Sequence, residues 1–122
     1  KKDGTSYHVL EELFEDNDRA LAEGEPAGKI KMLVSPKGKL LGCQIIGAHA
    51  GELIHEWIIA NSAGVKLSTI AGAVHVYPTI SEISKRVAGD LFASKIFSEK
   101  TKTMLRLLFN LKGRACSLPG EE

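Results

Sequence analysis

The chain has 122 residues, 43% hydrophobic and 25% charged, with a net charge of +1. That is enough for one domain with a modest core, and too evenly charged for binding nucleic acid or a membrane surface by bulk electrostatics. No apolar run nears the roughly 20 residues that span a bilayer, and the charged start Lys1-Lys2-Asp3 is not expected to be a signal peptide.

Residues 7–14, with Val9, Leu10, Leu13 and Phe14, form a mixed apolar pattern expected as an edge strand, after which Glu15–Asn17 turns the chain. Lys29–Val34 alternates charged and apolar side chains (Lys29, Ile30, Lys31, Met32), the pattern of a half-buried strand. Pro36-Lys37-Gly38 makes a hairpin turn, and Leu40–Ile46 is expected as the more buried partner, with Cys43 an inert core residue. His49, in a Gly-Ala-His-Ala turn, is expected to be a solvated loop histidine without metal-ligand spacing around it. Gly51–Ala63 then places Leu53, Trp57 and Ala60, with Ile54 and Ile58, at helical spacing, and Gly64 ends the helix. Trp57 is expected to anchor the core or an interface between subunits. A short helical piece is expected at Ser68–Ala73.

Farther on, Ser98–Leu111 carries Met104, Leu107, Leu108 and Leu111 on one side and Lys100, Lys102 and Arg106 elsewhere, so the pattern predicts an amphipathic helix capped by Ser98. It is expected to pack on its own domain or on a second copy. The tail 113–122, with Pro119 and Gly120, is expected to be disordered. Cys43 and Cys116 lie outside any metal-type or Cys-x-x-Cys spacing, which implies a reducing compartment, by default the cytoplasm. Strands followed by helices, without alternation, indicate an α+β fold in which an antiparallel sheet packs with helices.

The segment His75-Val76-Tyr77-Pro78-Thr79-Ile80-Ser81-Glu82 concentrates the chemistry. Proline fixes its own φ and pushes Tyr77 toward an extended conformation, so His75 and Tyr77 are expected on the same side of the chain. Thr79-x-x-Glu82 is a capping box, predicting a helix from Ile80 through Ile83, Val87 and Leu91. Taken alone, the octet fits an ordinary loop-to-helix start, with His75 and Tyr77 packing locally.

The octet nevertheless resembles the His-x-His-Pro-Thr-x-Ser-Glu segment in the C-terminal dimerisation domain of the FAD-dependent pyridine nucleotide-disulfide oxidoreductases, the family of dihydrolipoamide dehydrogenase, glutathione reductase and mercuric reductase. Asn17–Ala22 with Gly28–Lys31, Gly38–Gly47 and Ala50–Glu56 resemble three further segments of that domain in the same order. The resemblance implies a dimerisation domain over residues 1–112, lacking one opening strand of the family pattern. It also implies a homodimer, and FAD and NAD(P) carried by upstream domains of a longer parent. No Gly-x-Gly-x-x-Gly turn and no close cysteine pair lies in this chain, so no cofactor is expected on it alone. His55 and Glu56 fall where the family packs helices or meets the other subunit, and are expected to be structural.

In the resembled family this segment enters the other subunit's active site, where the histidine before proline, held by the glutamate five positions later, shuttles a proton. Here Tyr77 takes the place of that histidine while Glu82 is retained. Tyrosine ionises near a pKa of about 10 against about 6.5 for histidine, so Tyr77 is not expected to act as a general base near neutrality. Mercuric reductases have tyrosine at this position, which makes the parent look mercuric-reductase-like rather than lipoamide-type. Their C-terminal cysteine pair is replaced by a lone Cys116 followed by Ser117, which suits a soft two-coordinate metal poorly. Tyr77, Glu82 and His75 are the candidate catalytic residues, and no metal site is expected. The alternative is a self-association module with no catalytic contribution.

Overall fold

A computed structural model describes residues 4, 6–96, 103, 104 and 108. The chain divides into two units, Lys1–Phe92 and Ala93–Glu122. In the second, the described residues are helical, and Met104 and Leu108 are exposed. The rest of the expected helix over Ser98–Leu111, the tail and Cys116 lie outside the described residues.

Three strands, β1 (His8–Leu13), β2 (Lys29–Val34) and β3 (Leu40–Ile46), form an antiparallel sheet in the order β1-β2-β3. The alternation in β2 puts Ile30, Met32 and Val34 on the inner face, each fully buried, while Leu33 stays partly exposed. The hairpin turns as expected: Gly38, at φ +82°, donates its N–H to the Ser35 carbonyl, and Ser35 and Lys39 exchange further hydrogen bonds.

The strand expected to be more buried is not. Leu41 and Ile46 of β3 are exposed and Leu40, Cys43 and Ile45 only half-buried. The reason is position in the sheet: β2 is flanked on both sides, whereas among the described residues β3 pairs only with β2. Between Leu33 and Val34 the register shifts, Leu33 facing Gly42 and Val34 facing Leu40, so Leu41 is an extra residue, a bulge. That bulge puts Leu40 and Cys43 on one face despite their odd spacing.

Four helices with both ends among the described residues follow the same logic: α1 (Asp18–Ala22), α2 (Ala50–Ser62), α3 (Leu67–Gly72) and α4 (Glu82–Ile96). Leu53, Trp57 and Ala60 of α2 are buried as the spacing predicts, but Ile58 is 53% exposed, so the buried stripe is narrower than the apolar pattern. The helix closes in a Schellman arrangement, Val65 N–H bonding the Ala60 carbonyl and Gly64, at φ +67°, bonding that of Asn61. Ile83, Val87 and Leu91 of α4 are buried with Leu67 and Ile70 of α3 and with the inner face of β2 in one core. Within it Trp57 Nε1 donates to Ser84 Oγ at 3.1 Å, a polar pair wholly buried between α2 and α4. Trp57 is thus a core anchor.

At the base of the sheet the Phe14 ring, fully buried, lies against two glycines. A Cβ on Gly28 would stand 2.6 Å from the Ile46 carbonyl oxygen and 2.8 Å from the ring; one on Gly47 would stand 2.8 Å from the ring. Only residues without a side chain admit phenylalanine there.

Candidate functional site

The His75–Glu82 segment has no regular structure until α4 begins, so its shape is imposed by neighbours. Asn17, 2% exposed, caps α1 by accepting the Ala20 N–H on Oδ1 at 3.0 Å. Its amide nitrogen donates to the Thr79 carbonyl at 3.2 Å, 62 positions away. The next residue, Asp18, accepts the Tyr77 hydroxyl on Oδ2 at 3.0 Å. On the other side, His75 Nε2 stands 3.0 Å from Glu56 Oε1 on α2, and Nδ1 stands 3.4 Å from the Ala73 carbonyl oxygen. The segment is therefore held at three points, and the Tyr77–Pro78 peptide within it is cis.

This geometry overturns the expectation that His75 and Tyr77 share a side. The His75 side chain is 9% exposed and directed to α2, whereas Tyr77 is 66% exposed and directed to α1. The alternation that would align them belongs to an extended strand, and the chain bends at Tyr77 and Pro78 instead. The capping box is not formed either. Thr79 donates its hydroxyl proton to the Val76 carbonyl at 2.6 Å and receives the Ser81 hydroxyl at 2.8 Å, while the Glu82 N–H bonds the Thr79 carbonyl. Residues 80 and 81 make a turn, and the helix starts at Glu82 rather than Ile80.

Tyr77 and Glu82 do come together, on the wall of a surface cleft of about 470 Å³ that Asp16, Asp18, Lys85 and Arg86 also line. The Arg86 guanidinium donates to the Asp16 carbonyl, tying α4 to the chain just before α1. The hydrogen bond to the Asp18 carboxylate, and behind it the charges of Asp18 and Glu82, hold the Tyr77 phenol above its usual range. The shift carries it farther from neutrality and away from use as a general base. His75 is not part of this cleft.

The cleft is not built for a dinucleotide. Three carboxylates, Asp16, Asp18 and Glu82, face it, against Lys85 and Arg86. Such a lining repels a pyrophosphate, and the residues present do not fit the phosphates of FAD or NAD(P). Among the described residues, no group of three or more His, Cys, Asp and Glu side chains is placed to hold a metal ion.

Other candidates have ordinary surroundings. His49 is exposed, with left-handed backbone at φ 57°, and stands 3.5 Å from Glu23. His55 donates from Nδ1 to the Gly51 carbonyl at 2.7 Å, one turn back on its own helix. Cys43 is half-buried, and burial pushes its thiol up to about 12, which leaves it inert as a nucleophile near neutrality. Three residues at the site were not foreseen: Asn17, Asp18 and Glu56. Asn17 carried a usable signal, an asparagine just before a helical Asp-Arg-Ala-Leu-Ala run. Asp18 and Glu56 carried none, since their partners lie 59 and 19 positions away.

The profile of the pyridine nucleotide-disulphide oxidoreductase dimerisation domain matches residues 1–88, and the chain belongs to that family. Among its relatives, the chloroplastic dihydrolipoyl dehydrogenase 2 of Arabidopsis thaliana is 39% identical over 105 residues, covering 84% of this chain and 18% of the relative. The dihydrolipoyl dehydrogenase of Mycoplasma pneumoniae is 37% identical over 84 residues, covering 68% and 18%. The fold is shared with LpdA from Mycobacterium tuberculosis, at a TM-score of 0.68 and 21% identity over 74% of this chain and 20% of that one. It is shared too with the HOCl-induced flavoprotein disulfide reductase RclA from Escherichia coli, at 0.68 and 20% over 72% and 20%. The chain thus spans about a fifth of the length of the proteins it matches.

Proposed function

We propose that the chain is the C-terminal dimerisation domain of a flavin-dependent NAD(P)H oxidoreductase, that it forms a homodimer, and that it presents Tyr77 and Glu82 to the active site of the other subunit. FAD and NAD(P) are assigned to upstream domains, and the domain itself to residues 1–112. The observation that carries the proposal is the exposed Tyr77 hydroxyl held beside Glu82 on an open cleft, in a family defined by dimerisation. With His75 turned inward to Glu56, its contribution is to hold the segment in place.

The finer assignment, mercuric-reductase-like rather than lipoamide-type, rests on Tyr77 alone. The relatives named above are dihydrolipoyl dehydrogenases and do not favour it. The location proposed from cysteine usage is the cytoplasm, whereas those relatives include a chloroplastic form. No helix among the described residues is long and apolar enough to cross a membrane.

A mixed-dimer experiment tests the shared site. One subunit of the parent flavoprotein carries Tyr77→Phe with Glu82→Gln, and the other lacks its redox disulfide. Both homodimers are expected to be impaired, and activity to return when the two are combined. A mixed dimer no better than its parents would leave the domain a self-association module.

A further inference from the structure

We infer that Asp18 is a positioning residue for Tyr77: it takes the phenol's only proton in a fixed hydrogen bond, so that whatever enters the cleft meets the Tyr77 oxygen as an acceptor and not as an acid. The inference rests on the proposal that Tyr77 borders the reacting site, and adds to it a residue and a specificity. The ligand group that Tyr77 can greet is one that brings its own N–H or O–H.

The geometry carries this in three steps. First, the donor and acceptor are unambiguous, because a carboxylate offers no proton and the phenol has one. Second, both backbones are set by a single buried residue. Asn17 fixes the start of α1, and with it Asp18, through its cap on Ala20; the same side chain fixes the Thr79 carbonyl two positions after Tyr77. Two exposed side chains usually lose much of a hydrogen bond's benefit to the entropy of ordering them. Here the main-chain part of that ordering is already supplied, leaving only side-chain torsions. Third, with its proton committed, the phenol oxygen keeps acceptor capacity, and the carboxylates of Glu82 and Asp16 line the same cleft. Lys85 and Arg86 also line the cleft, but the Arg86 guanidinium already donates to the Asp16 carbonyl and the three carboxylates outnumber the two cations. The lining therefore favours donors, and the charges of Asp18 and Glu82 disfavour a phenolate.

The test uses the 122-residue chain, whose only tyrosines are Tyr7 and Tyr77, so Tyr77→Phe isolates the second by difference. Phenolate absorbance is followed against pH in the wild-type chain, Asp18→Asn and Asp18→Ala, with Trp57 fluorescence reporting that each is folded. Asp18→Asn keeps an acceptor oxygen and loses the charge, and should lower the Tyr77 ionisation midpoint. Asp18→Ala should lower it as well and in addition bring the Tyr77 ring-proton shifts to free-tyrosine values, while Asp18→Asn holds them near the wild type. An unchanged midpoint in both variants, or ring shifts that respond to neither, would overturn the inference. Because these readouts need no partner subunit, they separate this inference from the shared-site proposal, whose failure would appear only in the mixed dimer.

Discussion

Glu56 and His75 stand 3.0 Å apart, Oε1 to Nε2, and this contact across 19 positions sets the direction of the imidazole. With the His75 side chain 9% exposed, its ring nitrogen has little access to water as a substitute partner. Glu56→Leu is expected to cost about 1–3 kcal/mol, the range for leaving a buried polar group without its partner. Glu56→Gln, which keeps the acceptor, should cost clearly less. Urea unfolding of both variants measures the difference; equal losses would mean that Glu56 acts by packing alone.

Trp57 offers a second stability test. Its indole N–H is buried and bonded to Ser84 Oγ. Ser84→Ala leaves that donor without its partner in a dry site, at an expected cost of about 1–3 kcal/mol. Since Trp57 is the chain's one tryptophan, its fluorescence follows the unfolding directly. A loss near zero would show that the indole finds another acceptor.

Acid and base act oppositely on two neighbouring glutamates of β1. Burial, then hydrogen bonding to Asp90, then the Asp90 charge hold the Glu12 carboxyl above its usual range. A carboxyl that binds its proton more tightly in the folded chain stabilises below the unfolded pKa and loses that contribution as pH rises through the folded one. Glu12→Gln should therefore be more stable than wild type at neutral pH and equal to it under acid. Glu11 has the opposite sign: hydrogen bonds from Lys31 and Lys29, at 3.2 and 3.3 Å, hold it low, so its contribution is present above the unfolded pKa and disappears as pH falls through the folded one. Denaturation midpoints of Glu12→Gln and Lys31→Met across the acid range check both signs.

In the parent enzyme, Tyr77→His restores a titrating group beside Glu82. General acid–base help is worth roughly 10²–10⁴-fold, so disulfide reduction should rise measurably toward that range while oxidation of NAD(P)H with quinone or oxygen changes little. Efficient turnover of a dithiol substrate by the unaltered parent would contradict the role given to Tyr77, as would no effect of Tyr77→Phe on any acceptor.

The isolated chain is expected to sediment as a dimer at about tens of micromolar and to be colourless. A flavin absorbance band that copurifies with it would contradict the assignment of FAD to upstream domains; monomer alone at that concentration would contradict self-association through this chain.

What could be read in advance was whatever is local. The two-residue alternation of Ile30, Met32 and Val34 and the helical spacing of Leu53, Trp57 and Ala60 depend on neighbours a few positions away, and the structure buries all six. The ordered motifs carried the family in the same way. The relative burial of β3, by contrast, depends on which strand lies in the middle of the sheet. The capping box failed because the Thr79 hydroxyl oxygen receives the Ser81 hydroxyl and the Glu82 N–H is spent on the Thr79 carbonyl. Nothing in the octet itself names Asp18 or Glu56.

The three anchors of the His75–Thr79 segment have a consequence for modularity. Its geometry is stored in Asn17, Asp18 and Glu56, on two helices made earlier in the chain, and the octet alone is a set of residues without a shape. Transplanted into another scaffold, residues 75–82 would bring their chemistry and leave its arrangement behind. A working graft must carry the start of α1 and the second turn of α2 with it.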